Sequence, residues 1–276
     1  MGVAFALASS LVWGTSDFLG GFYTRRLSLS AVTIVSQLAG FAALLAALPL
    51  VGALEGRALL IGVAAGACGS VGLSAFYRAL ATGTISIVSP VSACSALVPV
   101  ALALAGGERP GAIALAGSGI ALAGAVLASV HEVHGQHPAA RSSIVLALVA
   151  ALAIGGFLWF IGRAADGGHT FAALLGAKIG SVTFLTAGAL ATRSSIAMPR
   201  RLVPAVAVIG LMDTAANGLF AVAVQHGYIS VVSVLGSEYP VATVLLAQIV
   251  LRERITRPQA AGVTLALVGV GMVSVT

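Results

Sequence analysis

Charged residues are scarce in this sequence. Aspartate, glutamate, lysine and arginine together make up 8% of its 276 residues, whereas soluble domains carry about 25%. The apolar share is 59%, and the mean hydropathy is +1.09. Because so few charged residues cannot cover the surface of a soluble domain, the composition excludes a soluble globular protein. The composition predicts an all-α integral membrane protein that crosses the bilayer many times.

Cysteine and the common catalytic motifs are also scarce. Cys68 and Cys94 both lie in apolar segments, where they are expected to be small core residues rather than a disulfide or metal ligands. The tract HEVH at residues 131–134 is one residue short of the zinc motif H-E-x-x-H and lies in a polar linker. Neither a phosphate-binding glycine loop nor G-x-S-x-G is present. We therefore expect no metal, no cofactor and no enzymatic activity.

Long apolar segments dominate the chain instead. A helix needs about 20 largely apolar residues to cross a bilayer, and these segments show no strand-like alternation. The first one lacks a basic segment and a cleavage site, so we predict that it is a membrane span and not a signal peptide. Ten spans are predicted, at residues 3–22, 30–52, 58–80, 84–105, 112–130, 143–162, 170–192, 204–226, 229–250 and 258–275.

The basic residues lie singly or in pairs between the spans, as membrane-flanking arginines do, which argues against a nucleic-acid-binding face. The positive-inside rule makes the arginine-rich side cytoplasmic and places both termini outside. The rich side has Arg25, Arg26, Arg78, Arg141, Arg193, Arg200, Arg201, Arg252, Arg254 and Arg257, and the other side has Arg57, Arg109 and Arg163.

The sequence also contains an internal duplication. Residues 66–129 align with residues 210–274 at an offset of 144, with one residue gained in the second copy. We therefore predict two repeats, residues 1–135 and 140–276, each with five helices. Because five is odd, the second repeat enters the membrane from the opposite side, which makes it an inverted repeat. Matched positions include Phe76 with Phe220, Ser86 with Ser230, Ser89 with Ser233, and Glu108-Arg109 with Glu253-Arg254.

Four charged side chains lie within predicted spans. Lys178, the only lysine of the chain, and the acids Asp213 and Glu238 lie near the centres of three neighbouring spans, and Asp17 lies in the first span. A charge at the bilayer centre costs about 2.5–3.5 kcal/mol on insertion scales, so each must face protein or a watery cavity. Two interpretations remain open: a structural ion pair of Lys178 with Asp213 or Glu238, and a site for a substrate or a proton.

Polar and aromatic residues near these charges complete the candidate site. Asn217 lies one helical turn beyond Asp213 on the same face. Prolines within two spans predict kinks that serve as hinges or as pocket walls. For the tryptophans, anchoring at the membrane interface is the alternative interpretation. The further candidates are Trp13, Tyr77, Ser89 before Pro90, Trp159, and Tyr239 before Pro240.

These features together resemble the drug/metabolite transporter superfamily, in its EamA branch. The resemblance rests on the two five-helix repeats, on Trp13-Gly14, on the two Glu-Arg pairs, and on Gly262 and Gly269 with their first-half equivalents. It implies a secondary transporter with a central cavity. The chain differs in having Asp17 where many members have a lysine late in the first helix. Members are also commonly drawn with cytoplasmic termini, against the arginine count.

The function expected from the sequence is secondary active export of amino acids or similar small amphipathic metabolites by alternating access, from the bacterial inner membrane. The alternative is a proton-coupled exporter of drugs or organic cations, although the positive charge of Lys178 disfavours it. A channel or an intramembrane enzyme is disfavoured by the missing motifs. The expected partners are a small-molecule substrate and membrane lipid, without nucleic acid, and the expected state is a monomer.

Overall fold

The computed structural model describes residues 1–24, 26–82, 91, 93–129, 141–251 and 256–275, and over these ranges the chain is helical, without strands. Seven of its helical segments are long and apolar enough to cross a membrane, and two shorter apolar ones accompany them. The helices are α1 Gly2–Thr24, α2 Leu29–Ala47, α3 Gly56–Thr82, α4 Leu97–Ala105, α5 Ala112–Ala128, α6 Arg141–Ala164, α7 Thr170–Ala191, α8 Val203–Gln225, α9 Ile229–Gly236, α10 Tyr239–Leu251 and α11 Arg257–Ser274.

The predicted spans correspond closely to these helices. Helices α1 to α3, α5 to α8 and α11 each match one predicted span to within a few residues. The fourth predicted span is described only from residue 91, where a 3₁₀ turn at Cys94–Ala96 precedes α4. The ninth is divided into α9 and α10. Hydropathy and length thus predicted an all-α membrane fold, and the structure confirms it.

The two halves of the chain interlock. Helix α1 packs along α8, and its counterpart α6 packs along α3, so the first helix of each half contacts the third helix of the other. Helices α5 and α11, the last of each half, pack against one another. Two hydroxyls of α1 reinforce its contact: Ser9 donates to the carbonyl of Ala216 at 2.8 Å and Ser16 to that of Ile209 at 3.2 Å. This reciprocal pairing is what an internal duplication produces.

Glycine allows the closest of these contacts. The sequence has glycine every three or four residues along α3, a pattern that favours close helix packing. A Cβ atom at Gly66 would collide with the carbonyl of Ala177 on α7, and one at Gly72 would lie 2.7 Å from a side-chain carbon of Ile154 on α6. The glycine stripe therefore forms the surface on which α3 meets both helices.

Glu108, in the turn after α4, joins the first half of the chain to the start of α9. Its carboxylate accepts hydrogen bonds from the backbone N–H groups of Ile229 and Ser230, at 3.0 and 3.1 Å, and from the Ser230 hydroxyl at 2.6 Å. A helix N-terminus has unpaired N–H groups and a partial positive charge, so the carboxylate stabilises it. The repeat counterpart, Glu253, lies outside the described residues, and the relative position of the two glutamates stays a prediction.

The break between α9 and α10 has a local cause. Proline has no N–H group, so Pro240 cannot donate to the carbonyl of Gly236 four residues earlier, and α9 ends there. Ser237 and Glu238 form the turn, and α10 begins at Tyr239 with the proline in its first turn, where proline is tolerated. The interruption predicted at Tyr239-Pro240 is thus present, whereas Ser89 and Pro90 lie outside the described residues.

Candidate functional site

A charged cluster lies where α2, α7 and α8 meet. The amine of Lys178 on α7 is 2.6 Å from Oδ2 of Asp213 on α8 and 2.8 Å from the amide oxygen of Gln37 on α2. The amide nitrogen of Gln37 donates to the same Asp213 oxygen at 3.1 Å. Each of the three side chains therefore contacts the other two. Gln37 comes from the first half of the chain and the other two come from the second, so the cluster joins the halves.

Close helix packing brings these side chains together. A Cβ atom at Gly210 would collide with the carbonyl of Ser36, and one at Gly40 would collide with the hydroxyl of Thr214 and lie 3.1 Å from Cε of Lys178. The Thr214 hydroxyl is itself held by a hydrogen bond to the Gly210 carbonyl at 2.7 Å. Helices α2 and α8 therefore approach at backbone distance, and the short separation lets Gln37 reach Asp213.

The positively and negatively charged side chains of the cluster differ in their solvent exposure. The side chain of Lys178 is 3% exposed, whereas that of Asp213 is 26% exposed. Asp17 on α1 is also exposed, and it is close enough to Asp213 for the two carboxylates to repel one another. A charged side chain on a membrane-spanning helix is expected to face protein or a watery cavity. The accessible side of the cluster is thus acidic, with the lysine behind it.

Glu238 is not part of this cluster. Lys178 pairs with Asp213, which decides between the two carboxylates that the sequence offered as its partner. Glu238 lies in the turn between α9 and α10, and it is 5% exposed. Neither of its oxygens accepts a hydrogen bond from any residue that the structure describes. It is a second, separate buried acid.

Of the remaining polar candidates, Asn217 lies near Asp213 and Tyr239 lies next to Glu238 in the chain. Asn217 lies one turn beyond Asp213 on α8 and is buried, and its amide oxygen has no hydrogen-bond partner among the described residues. Tyr239 begins α10 directly after Glu238 and packs against the main hydrophobic core. The side chain of Tyr77 and the whole of Ser89 lie outside the part of the chain that the structure describes.

The two tryptophans have different surroundings, although the repeat relates them. Trp13 is buried against helices of the second half, with its ring centroid 5.6 Å from that of Phe220 on α8 and 6.4 Å from that of Phe157 on α6. Trp159 packs near the end of α6, where the guanidinium of Arg163 lies 5.7 Å from its ring centroid. Interfacial anchoring therefore suits Trp159 but not Trp13, which is a core residue beside the α9–α10 break.

Gln37 is a site residue that the pattern of charged side chains in the sequence does not predict, because it is uncharged. A signal was available, because a long amide side chain in the middle of an apolar span is itself unusual. Its position in the second helix of its half, as Lys178 is in the second helix of the other, predicts a meeting near the pseudo-symmetry axis.

A surface hollow of about 430 Å³ lies at the ends of α3 and α6, and Arg57, Arg163 and His169 are among the residues that line it. Two of the three arginines assigned to the arginine-poor side therefore share one end of the molecule. Glu55 also lines the hollow and accepts the N–H groups of Ala58 and Arg57 at the start of α3, and these bonds lower its carboxyl pKa.

Comparison with known proteins bears on this fold and this cluster. The model of the EamA-like transporter family matches residues 141–275, the segment that contributes Lys178 and Asp213. A solved crystal structure has a similar fold, with a TM-score of 0.80 over 99% of this chain and 98% of the other and 18% sequence identity. A search of curated protein sequences finds no match. The resemblance seen in the sequence is thus confirmed for the second half.

Proposed function

We propose that this chain is a multi-pass membrane transporter that exports amino acids or similar small amphipathic metabolites. The match of residues 141–275 to the model of the EamA-like transporter family supports this proposal. The proposed location is the bacterial inner membrane, and the proposed mechanism is alternating access. The observation that carries the proposal is the cluster of Lys178, Asp213 and Gln37 between the two halves of the chain. In inverted-repeat transporters the substrate site lies between the repeats near the bilayer midplane.

The chemistry of the cluster suits a zwitterion. The ammonium group of an amino acid would bind between Asp17 and Asp213, the two acids on the accessible side. A lysine amine has three N–H donors, and Lys178 uses two of them, on Gln37 and on Asp213. The third donor remains for a substrate carboxylate. Binding at this point would touch both halves of the chain at once.

Residues outside the cluster have supporting roles in this proposal. Asn217, one turn along α8, offers an amide oxygen for a second hydrogen bond to the ammonium group. Trp13 would shape the wall of the cavity from within the core, while Tyr77, Ser89 and Tyr239 stay proposed contacts for the substrate side chain. Trp159, also a candidate from the sequence, is assigned to interfacial anchoring instead. Glu238 lies apart from the lysine, so we assign it no contact with the substrate.

One observation favours a second candidate, a proton-coupled exporter of organic cations. The accessible side of the cluster is acidic, and the lysine that would repel a cation is covered. An amine without a carboxylate would then bind as well as an amino acid. The two candidates therefore differ in whether Lys178 takes part in recognition.

Counterflow in proteoliposomes separates the two candidates. Vesicles are preloaded with unlabelled phenylalanine or with phenethylamine, the same molecule without its carboxylate, and uptake of each labelled compound is measured; further amino acids and amines are paired in the same way. Uptake of the amino acids alone supports the first proposal, and uptake of the amines, with or without the amino acids, supports the second. Asp166→Asn is the matched control, because it removes the exposed ion pair with Arg163, at 3.8 Å, outside the cluster.

A further inference from the structure

The break between α9 and α10 holds a carboxylate that the proposed substrate site does not use. Every residue of α9 is buried, and Glu238 follows it directly in the turn. Both carboxylate oxygens are inaccessible and unpartnered among the described residues. The hydroxyls of Ser233 and Ser237, four residues apart and therefore on one face, are also buried without partners in that part of the chain.

An isolated buried carboxylate is costly when it is ionised. In a membrane interior the cost is met by a partner of opposite charge, by a bound cation or by a proton. The elements packed against the break carry Asp17 on α1, Asp213 on α8, Arg141 and Arg163 on α6 and Arg257 on α11, and Glu108 binds the start of α9. Asp213 pairs with Lys178 and Arg163 with the exposed Asp166. No ion pair reaches Glu238 within the described residues.

The geometry of the turn favours a proton over a metal cation. A metal ion needs several free oxygen ligands, but four of the backbone carbonyls around the break already accept a hydrogen bond. Those of Ser233 and Val234 accept from the N–H of Ser237, and that of Leu235 accepts from the N–H of Glu238. The carbonyl of Glu238 accepts from Val241 in turn. A proton requires only the carboxylate itself.

The turn is connected to the substrate site through α1. A Cβ atom at Gly14 would lie 2.7 Å from the carbonyl of Tyr239, and the hydroxyl of Thr243 on α10 donates to the Gly14 carbonyl at 3.2 Å. Gly236, the last residue of α9, packs beside the Trp13 ring. Asp17 lies three residues beyond Gly14 on the same helix. A change in the α9–α10 turn would therefore alter the packing of α1, the helix that contributes Asp17.

We propose that Glu238, in the break between α9 and α10, is a proton-binding site separate from the Lys178–Asp213–Gln37 cluster. Its carboxylate takes one proton from water on the outer side and releases it to water on the cytoplasmic side, in exchange for outward movement of the substrate. The coupling role rests on the transport function proposed above. The existence of the proton site does not.

Infrared spectroscopy tests the proton site without any substrate. The purified protein in nanodiscs is titrated with base, and the carbonyl-stretch band of a protonated, buried carboxylic acid is followed. We expect a band that is lost in Glu238→Gln and kept in the control Asp166→Asn. A band that is unchanged in Glu238→Gln, or the absence of any such band in the unmodified protein, overturns the proposal.

Transport assays test the coupling. In Glu238→Gln we expect counterflow of the compound found above to continue, because exchange needs no net proton movement, while accumulation driven by an imposed pH gradient is lost. Loss of both activities in a correctly folded variant overturns the coupling role, as does retention of both. Accumulation that requires sodium ions rather than a pH gradient also contradicts it. If no compound shows counterflow in the unmodified protein, the proposed function fails while the infrared result still decides the proton site.

Discussion

The amine of Lys178 lies 2.8 Å from the amide oxygen of Gln37, and the two residues belong to corresponding helices, the second of each half. Two residues from corresponding helices thus meet in one hydrogen bond, although they are 141 residues apart and not at matched positions of the repeat. The pairing is asymmetric in charge, since the first half contributes an amide where the second contributes an ammonium. Asp213 accepts from both, so the charge difference between the halves is compensated at a single point.

The first prediction concerns the ion pair. Removing Lys178 alone by Lys178→Met leaves Asp213 unpaired, and breaking a buried pair costs about 3–5 kcal/mol. The double variant Lys178→Met with Asp213→Asn removes both charges, so we expect its thermal stability in detergent to recover. We expect counterflow to stay lost in both variants, because the groups for the substrate carboxylate and ammonium are gone.

Lys178→Arg completes the test of that cluster. Arginine keeps the charge and serves a permanent ion pair at least as well as lysine, so a purely structural role predicts normal transport. We expect a folded protein without transport, since the planar guanidinium cannot offer the substrate carboxylate the compact charge of lysine. Full activity in the neutral double variant would discard the role of the cluster in transport.

The second prediction concerns helix contact. In Gly210→Ala the new Cβ atom meets the backbone carbonyl of Ser36, which cannot rotate away, so α2 and α8 must separate. We expect a lower melting temperature and reduced counterflow, because Gln37 no longer reaches Asp213. Gly20→Ala on α1 is the control, since nothing lies within 4 Å of its Cβ position. Equal melting temperatures for the two variants would contradict the packing argument.

The third prediction concerns Glu108. In Glu108→Ala the first N–H groups of α9 lose their acceptor, and the loss of such a cap costs about 0.5–2 kcal/mol of unfolding free energy. Glu108→Gln keeps one acceptor oxygen, so we expect an intermediate loss. Thermal unfolding in detergent measures both, with the exposed neighbour Arg109→Ala as the control. A Glu108→Ala protein as stable as the control would show that the hydrogen bonds between Glu108 and the start of α9 do not contribute to stability.

The fourth prediction concerns orientation. The loop at residues 193–201 is expected to be cytoplasmic because it carries three arginines. Ser195 is exposed, so Ser195→Cys in a protein without Cys68 and Cys94 provides an accessible thiol. We expect this thiol to resist an impermeant maleimide in intact cells and to react after the cells are opened. Prompt labelling of intact cells would contradict the orientation inferred from the arginine count and would place the termini in the cytoplasm.

The sequence by itself determined the helices and the residues that bear charge in the membrane, and it predicts the duplication. Hydropathy and span length are local properties, because each helix satisfies its own backbone hydrogen bonds in a bilayer. The break before Tyr239-Pro240 was equally predictable, since the missing N–H group of proline acts on its own helix.

Only the tertiary structure decided which of these residues meet. Lys178 pairs with Asp213 and not with Glu238, Gln37 joins that pair, and Trp13 is enclosed while its counterpart Trp159 packs at a helix end. Such choices depend on how helices rotate and cross, and here that is set by backbone contacts at Gly40 and Gly210. Those contacts join residues more than a hundred positions apart, so no pattern within a single span encodes them.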